Sequence, residues 1–195
     1  MLRKENSKYG VPMYMLHPGD YYVTDQKCLM GSIAGITAVV CLYDPGRRIG
    51  GMGHFIIPGT QGTEDILFDD ISKEGILKIE YIMGEIVKLG GDRKDLKAKL
   101  FGAGSYQGTD NNPLALSRSN ITFLHDYFRN EGIPIIKESL GGRHRRKVLF
   151  SPVDGRVFMK LLENNMDASK FIELEKQYVD QVFRSGDTYG DVIMF

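Results

Sequence analysis

Two apolar segments around a Pro-Gly turn constrain the fold of this chain more than any other feature. Ile36–Tyr43 is rich in β-branched residues and follows a glycine, which is typical of a buried strand. In Asp44-Pro45-Gly46-Arg47, the Pro and Gly suit the second and third positions of a type II turn. Met52–Ile57 is the expected partner strand. The sequence therefore predicts an antiparallel hairpin over residues 36–57.

The turn also predicts which residues of the hairpin face each other. If Asp44 and Arg47 flank a two-residue turn, Thr37 lies directly opposite His54. Opposed side chains on one face of a sheet have Cβ atoms about 4.5–5.5 Å apart, so a hydroxyl there can contact an imidazole. A nucleophile and its base need such a contact. A lone histidine on a strand is more often a half-buried structural residue, and both interpretations of Thr37 and His54 stay open on spacing alone.

Residues outside the hairpin predict further strands and helices. Tyr21–Val23 is expected to form a short strand, and a loop containing Gly31 and Gly35 is expected to lead into the hairpin. More strands are predicted at Leu96–Phe101, Ile133–Glu138, Lys147–Phe150 and Arg156–Leu161. Helices are predicted at 72–89, at 120–131 with Ser119 as N-cap, and from Asp167 to just before Gly186. The pattern indicates one α+β domain spanning 1–195, with layered mixed and antiparallel sheets, flanking helices, and a C-terminal helix and tail at about 165–195.

The last predicted helix has an apolar face. Residues at helical spacing predict that this face docks on the domain: Phe171, Leu174, Tyr178 and Val182.

Composition excludes several classes of protein. Lys plus Arg and Asp plus Glu are 25 each, so no net charge attracts nucleic acid. The longest apolar run, 36–43, is too short to span a bilayer. The two cysteines form no C-x-x-C pair, and no histidine cluster has metal-ligand spacing. We expect a cytoplasmic monomer that inserts in no membrane and uses no metal or cofactor.

Several long segments resemble one known family, and they occur in that family's order. They are VCLYDPGRRIGGMGHFIIPG at 40–59, KAKLFGAG at 97–104, SRSNITFLHDYFRNEGIPI at 117–135, SLGGRHRRKVLFSPVDGRV at 139–157 and YGDVIMF at 189–195. Through these segments the chain resembles the CheD chemotaxis proteins, the chemoreceptor glutamine deamidases. The resemblance extends from Pro18 to Phe195.

The resemblance implies a chemistry and a set of partners. CheD proteins hydrolyse the side-chain amide of receptor glutamines, using a Cys nucleophile, a His base on the partner strand and an assisting Thr or Ser, without a metal. The partners implied are methyl-accepting chemoreceptors and the chemotaxis phosphatase CheC.

Two of the three catalytic positions differ from the family pattern. His54 matches the family His, but Thr37 stands at the Cys position and Gly31 at the Thr or Ser position. A thiol with a pKa near 8.5 ionises readily beside a histidine, whereas a hydroxyl stays protonated at neutral pH. Two hypotheses follow: a deamidase with an atypical nucleophile, or a catalytically silent module that binds receptors or CheC.

Cys28 is a substitute nucleophile if its loop folds back toward His54, and Ser32 adds a hydroxyl to the same segment. Cys41 lies four residues beyond Thr37, about 13 Å at strand rise, so we expect it to pack in the core.

The last candidate residues are implied by the resemblance as a substrate-binding set. Gly102, Ala103 and Gly104 lack the third glycine of a dinucleotide-binding loop, and the resemblance implies that they border the substrate groove. Arg146 belongs to the basic run 143–147. That run is either a solvated strand edge or a patch for acidic receptor helices.

Overall fold

The computed structural model describes residues 3–5, 10–56, 70–105, 113–162 and 169–186. Within these ranges the chain forms ten strands, three α-helices and one short 3-10 helix at Arg93–Asp95. The strands are β1 (Arg3–Glu5), β2 (Met13–Met15), β3 (Tyr21–Thr24), β4 (Leu29–Ala34), β5 (Ala38–Asp44), β6 (Ile49–Phe55), β7 (Lys97–Gly102), β8 (Ile135–Leu140), β9 (Arg145–Phe150) and β10 (Val157–Leu162). The helices are α1 (Asp70–Lys88), α2 (Pro113–Asn130) and α3 (Ser169–Gly186).

The strands form two five-stranded sheets. The first sheet has the order β1-β2-β4-β9-β10 and the second the order β3-β6-β5-β7-β8. Most neighbours are antiparallel, but β2 and β4 are parallel, as are β7 and β8. The second parallel pair is connected through α2, because parallel strands need a crossover rather than a tight turn. The expected α+β class with layered mixed sheets is confirmed.

The second sheet lies between the helices and the first sheet. Its helix-facing side packs against α1 and α2 in a buried cluster that includes Val40, Leu42, Ile82 and Phe128. Its other face packs against the first sheet in a second cluster that includes Met30, Val39, Cys41 and Phe150. The β5 side chains alternate between the two clusters, as the two-residue period of a strand requires.

The hairpin forms as β5 and β6, but its predicted register is wrong. Val39, not Thr37, pairs with His54, and Asp44 pairs with Ile49. The turn therefore contains the four residues 45–48 rather than Pro45 and Gly46 alone.

The side chain of Asp44 explains the longer turn. Its carboxylate accepts the N–H groups of Gly46 at 2.9 Å and Arg47 at 3.0 Å. Arg48 has a left-handed φ of 60° and donates its N–H to the Asp44 carbonyl at 2.9 Å. These local bonds outweigh the two-residue geometry that the Pro-Gly pair favours.

The loop predicted around Gly31 is instead strand β4. All six of its residues are buried, because β4 lies inside the first sheet between β2 and β9. The short bend from Gly35 to Thr37 then carries the chain to β5 in the second sheet. Thr37 therefore lies just before its strand rather than within it.

The helices differ from expectation mainly at one boundary. α2 begins at Pro113, so Ser119 lies inside the helix and is not its N-cap. Proline suits the first helical position because its missing N–H would have no intrahelical partner there. Gly132, with a φ of 67°, follows the helix as predicted. The start of the predicted C-terminal helix, up to residue 168, and the tail at 187–195 lie outside the described ranges. Within the described ranges, no helix is long and apolar enough to cross a bilayer.

The burial of the aromatic residues predicts how much each contributes to the free energy of unfolding. Phe128 is fully buried, so Phe128→Ala should lower the free energy of unfolding by about 3–5 kcal/mol through lost burial and a new cavity. Phe158 is 59% exposed, and the control Phe158→Ala should change it by no more than about 0.5 kcal/mol. Urea unfolding of both variants measures this, and equal effects would contradict the core assignment.

Candidate active site

His54 lies near the end of β6 and is held in place by its backbone. Its carbonyl accepts the N–H of Gly19 at 2.7 Å, and its own N–H donates to the Asp20 carbonyl at 3.0 Å. Pairing with Val39 turns the His54 side chain toward the first sheet. The imidazole is therefore buried between the two sheets, with 1% of the residue exposed.

The predicted contact between Thr37 and His54 forms in spite of the wrong register. Thr37 Oγ1 lies 2.6 Å from His54 Nε2. Thr37 reaches the ring from a position diagonal to His54, two residues before the directly paired Val39. Diagonal neighbours on one face of a sheet are close enough for such a contact.

The other ring nitrogen contacts Ser32, on β4. Ser32 Oγ lies 2.7 Å from His54 Nδ1 and 2.8 Å from the Leu16 carbonyl oxygen, so its hydroxyl can donate to either. Strand alternation turns Ser32 toward the second sheet, together with Met30 and Ala34. The sequence pattern assigns Ser32 only a secondary hydroxyl, because it predicts a loop where β4 forms.

The sequence reasoning missed Glu175, which reaches the site from α3. Its Oε1 accepts the N–H of Gly35 at 2.8 Å, the N–H of Thr37 at 3.0 Å and the Thr37 hydroxyl at 2.5 Å. Glu175 is 3% exposed, and Ser32 and Thr37 are fully buried. A charged residue at this depth needs such partners, because burying an unpaired carboxylate is costly.

Burial also determines the charge of the imidazole. Desolvation lowers the pKa of His54 to about 4, although the nearby Glu175 acts in the opposite direction. The ring is therefore neutral at pH 7 and carries one N–H. A neutral imidazole donates through one nitrogen and accepts through the other.

These contacts limit the possible directions of the hydrogen bonds around the ring. A threonine hydroxyl has one proton, and Thr37 gives it to Glu175. Thr37 must then accept from His54 Nε2–H, and Nδ1 of the neutral ring carries no proton. Nδ1 and the Leu16 carbonyl are then both acceptors for the single proton of the Ser32 hydroxyl. With a neutral carbonyl oxygen in place of the carboxylate, the competing acceptor is weaker and Thr37 can donate to Nε2 instead. Nδ1–H would then donate to Ser32, and Ser32 to the Leu16 carbonyl.

The predicted substrate-binding residues Gly102, Ala103 and Gly104 lie against the bend that carries Thr37. Ala103 N–H donates to the Thr37 carbonyl at 2.8 Å, and Gly104 N–H donates to the Gly35 carbonyl at 2.6 Å. Gly102 has a φ of 99°, and a Cβ there would lie 2.3 Å from the Thr37 carbonyl oxygen. The segment positions Thr37, and its contact with substrate stays a prediction.

Arg146 is buried rather than part of a solvated edge. Its guanidinium donates to Ser139 Oγ at 3.0 Å and to the carbonyls of His144 and Gly141 at 2.8 and 2.5 Å. Gly141 N–H in turn donates to the Gly102 carbonyl at 2.9 Å. Arg146 therefore holds the turn that supports the Gly102 segment.

Gly31 and Cys28 contribute no group to the contacts around His54 described above. Gly31 faces away from Ser32, and a Cβ there would lie 2.6 Å from Met15 Sδ. Cys28 belongs to the apolar cluster between the sheets, and burial raises the pKa of its thiol to about 11. Cys41 is in the same cluster, as expected, and its thiol pKa is also raised by burial. A thiolate is therefore disfavoured at both positions.

The geometry has the parts of a hydrolytic site for an acyl compound. Thr37 supplies a hydroxyl beside an imidazole, and Ser32 orients that imidazole. The N–H groups of Gly35 and Thr37 converge on one oxygen at distances suited to an oxyanion. No group of three or more His, Cys, Asp or Glu side chains in the described part of the chain is arranged to hold a metal ion.

The buried imidazole predicts a pH dependence of stability. The unfolded chain binds a proton at His54 near pH 6.5 and the folded chain only near pH 4, so acidification through this window favours unfolding. Between about pH 7 and pH 5, wild type should lose about 2 kcal/mol more of its free energy of unfolding than His54→Gln. Urea unfolding at both pH values checks this; equal losses would show that the imidazole is protonated in the folded state.

Sequence comparison adds an independent finding. A family model described as CheD chemotactic sensory transduction matches residues 68–161. A protein of Hahella chejuensis, named a probable chemoreceptor glutamine deamidase CheD, is 34% identical over 186 residues, 94% of this chain and 85% of the relative. A Shewanella oneidensis protein, named a probable chemoreceptor glutamine deamidase CheD 1, is 32% identical over 91% of this chain and 85% of the relative.

A comparison of folds gives a weaker likeness. The crystal structure of the Bacillus licheniformis hypothetical protein YfiH is 18% identical with a TM-score of 0.37, covering 62% of this chain and 50% of that one. This likeness is too low to inform the fold or the site. Ser32, Thr37 and His54 lie before the residues that the family model matches and Glu175 lies after them, but all four lie within the nearly full-length similarity to the Hahella chejuensis protein.

Proposed function

This chain belongs to the CheD family, and from that premise we propose that it is a chemoreceptor glutamine deamidase in which Thr37 replaces the cysteine. The names of the relatives supply the substrate class, a glutamine side chain of a chemoreceptor. The protein would bind these receptors in the cytoplasm. A monomeric state and a CheC partner are further predictions from the family.

The observation that carries the proposal is the arrangement around Thr37. Its hydroxyl lies 2.6 Å from His54 Nε2, and its own N–H and that of Gly35 converge on one oxygen atom. Amide hydrolysis needs a nucleophile, a base and donors for the developing oxyanion, and these three residues supply all of them. Residue 35 contributes only its backbone, so the donor depends on the bend and not on a side chain.

In the proposed reaction, Thr37 Oγ1 attacks the carbonyl carbon of the glutamine side chain while His54 Nε2 takes the hydroxyl proton. A C–O bond forms, and the N–H groups of Gly35 and Thr37 stabilise the oxyanion. The C–N bond then breaks, and His54 protonates the leaving nitrogen, which departs as ammonia. Water, deprotonated by His54, hydrolyses the Thr37 ester and releases glutamate. The net reaction consumes one water and restores both side chains.

Ser32 has a positioning role in this reaction. When the Thr37 hydroxyl donates to Nε2, the ring proton resides on Nδ1 and donates to Ser32. Ser32 then donates to the Leu16 carbonyl, which completes the chain of hydrogen bonds. This neutral partner orients the ring without the charge that an acidic residue would supply.

A second candidate is a module that binds receptor side chains without hydrolysing them. The hydroxyl of Thr37 and the carboxylate of Glu175 favour it. A hydroxyl is harder to ionise than a thiol, and the donors of the site hold a glutamate side chain, the chemical product of deamidation. Such a module would bind the product form of the receptor and leave its glutamines unchanged.

Incubation with a purified cytoplasmic fragment of a chemoreceptor from the same genome tests the proposal. Mass spectrometry of the fragment should show conversion of glutamine to glutamate, with release of ammonia. His54→Gln should lower the rate by about 10²–10⁴-fold, because general base catalysis is lost. Thr37→Ala should abolish it. Cys28→Ala should retain it, since that thiol is buried and protonated.

Each alternative has its own result. Receptor binding without conversion by wild type would contradict the deamidase proposal and support the binding module. Conversion that survives in Thr37→Ala but is lost in Cys28→Ala would assign the nucleophile to Cys28 instead.

A further inference from the structure

The helix α3 docks on the domain by one face. Val179 is 7% exposed, and Tyr178 packs against the cluster between the helices and the second sheet. A Cβ at Gly19 would lie 3.1 Å from the Tyr178 ring. Glu173 is exposed on the same helix. Of the predicted docking face, Tyr178 packs on the domain and Leu174 is half-buried, while the side chains of Phe171 and Val182 lie outside the described set.

Glu175 lies on this docked face, one turn before Val179. Its carboxylate reaches the bend between β4 and β5, where its Oε1 takes the N–H groups of Gly35 and Thr37. These are the donors that the proposed reaction assigns to the carbonyl oxygen of a receptor glutamine. A glutamate side chain is what that reaction leaves in the site.

We propose that α3 is an intramolecular product analogue: Glu175 occupies the site, and a receptor helix must displace it to bind. The proposal rests on the proposed function, because it assigns the natural occupant of the same donors. It identifies the substrate as a side-chain amide or carboxylate presented by an α-helix, as Glu175 is. The helix thereby regulates access to Thr37.

The bound carboxylate also holds Thr37 in an unreactive state. The Thr37 hydroxyl donates its proton to Glu175, so the neutral imidazole must direct Nε2–H at Thr37. A nitrogen that carries a proton accepts no other. Displacement of Glu175 by an amide carbonyl replaces a charged acceptor with a weaker, neutral one, so that Nε2 can compete for the hydroxyl proton.

The burial of Glu175 supports its occupancy of the site, as opposed to an incidental contact at the surface. Glu175 and His54 are 3% and 1% exposed with α3 in place. A receptor side chain has no path to donors that are already bonded and covered. Binding of any helix-borne side chain at these donors therefore requires α3 to move, and the population with α3 displaced limits the apparent affinity.

Hydrogen exchange on the protein alone tests occupancy. In Glu175→Ala the amide protons of Gly35 and Thr37 lose their acceptor and should exchange about tenfold faster or more than in wild type. Glu173→Ala removes a carboxylate from the exposed side of the same helix and should leave both rates unchanged. Val179→Ala keeps the carboxylate but weakens docking, so it should also accelerate exchange. Unchanged rates in both Glu175→Ala and Val179→Ala would overturn the proposal.

Affinity for the chemoreceptor fragment tests displacement. Glu175→Ala and Val179→Ala should each bind the fragment about tenfold more tightly than wild type, with Glu173→Ala equal to wild type. Faster exchange without tighter binding would overturn competition between α3 and the receptor. If no variant bound the fragment, the proposed function would fail instead, and the exchange rates would still decide whether Glu175 occupies the site.

Discussion

The two N–H groups of the bend from Gly35 to Thr37 are the constraint on which the site depends. The bend carries the chain from one sheet to the other, so these donors point to a side chain of α3 instead of a neighbouring strand. A buried donor without an acceptor costs about 1–3 kcal/mol, and the fold must therefore supply an oxygen atom at this point. The Glu175 carboxylate supplies it here, and a substrate carbonyl would do so in the reaction. The Gly102 segment fixes the bend from the other side through its backbone.

The same oxygen determines what the histidine can do. Because burial keeps His54 neutral, its two ring nitrogens carry one proton between them, so one nitrogen donates and the other accepts. A carboxylate is a strong, charged acceptor that draws the Thr37 proton away from the ring, whereas a neutral carbonyl is a weaker acceptor with which the ring nitrogen can compete. The chemical identity of the group on the two N–H donors thus selects between a resting and a reactive hydrogen-bond pattern. This coupling connects the docking of a helix far along the chain to the reactivity of one hydroxyl.

Sequence reasoning found the parts of the site that local patterns encode. The Thr37–His54 contact followed from the hairpin, even though Asp44 lengthens the turn and shifts the register, because a diagonal neighbour still reaches the ring. Ser32 received a minor part because a strand with two small residues, Gly31 and Ala34, resembles a loop in sequence. Glu175 was missed because its contacts lie 138 and 140 residues away. The sequence signal for Glu175 was its position as a charged residue on the α3 face that was predicted, from Tyr178 among others, to dock on the domain.

If Thr37, His54 and the two N–H donors hydrolyse the amide of a helix-borne glutamine, they should also do so when α3 carries that glutamine. The substitution Glu175→Gln places such an amide on the donors within the protein itself, so no partner is required. Mass spectrometry of the purified variant over time should show residue 175 returning to glutamate, while an added Thr37→Ala change should preserve the glutamine. Glu173→Gln controls for spontaneous deamidation on the exposed side of α3. A glutamine at 175 that persists as long as the one at 173 would contradict the account.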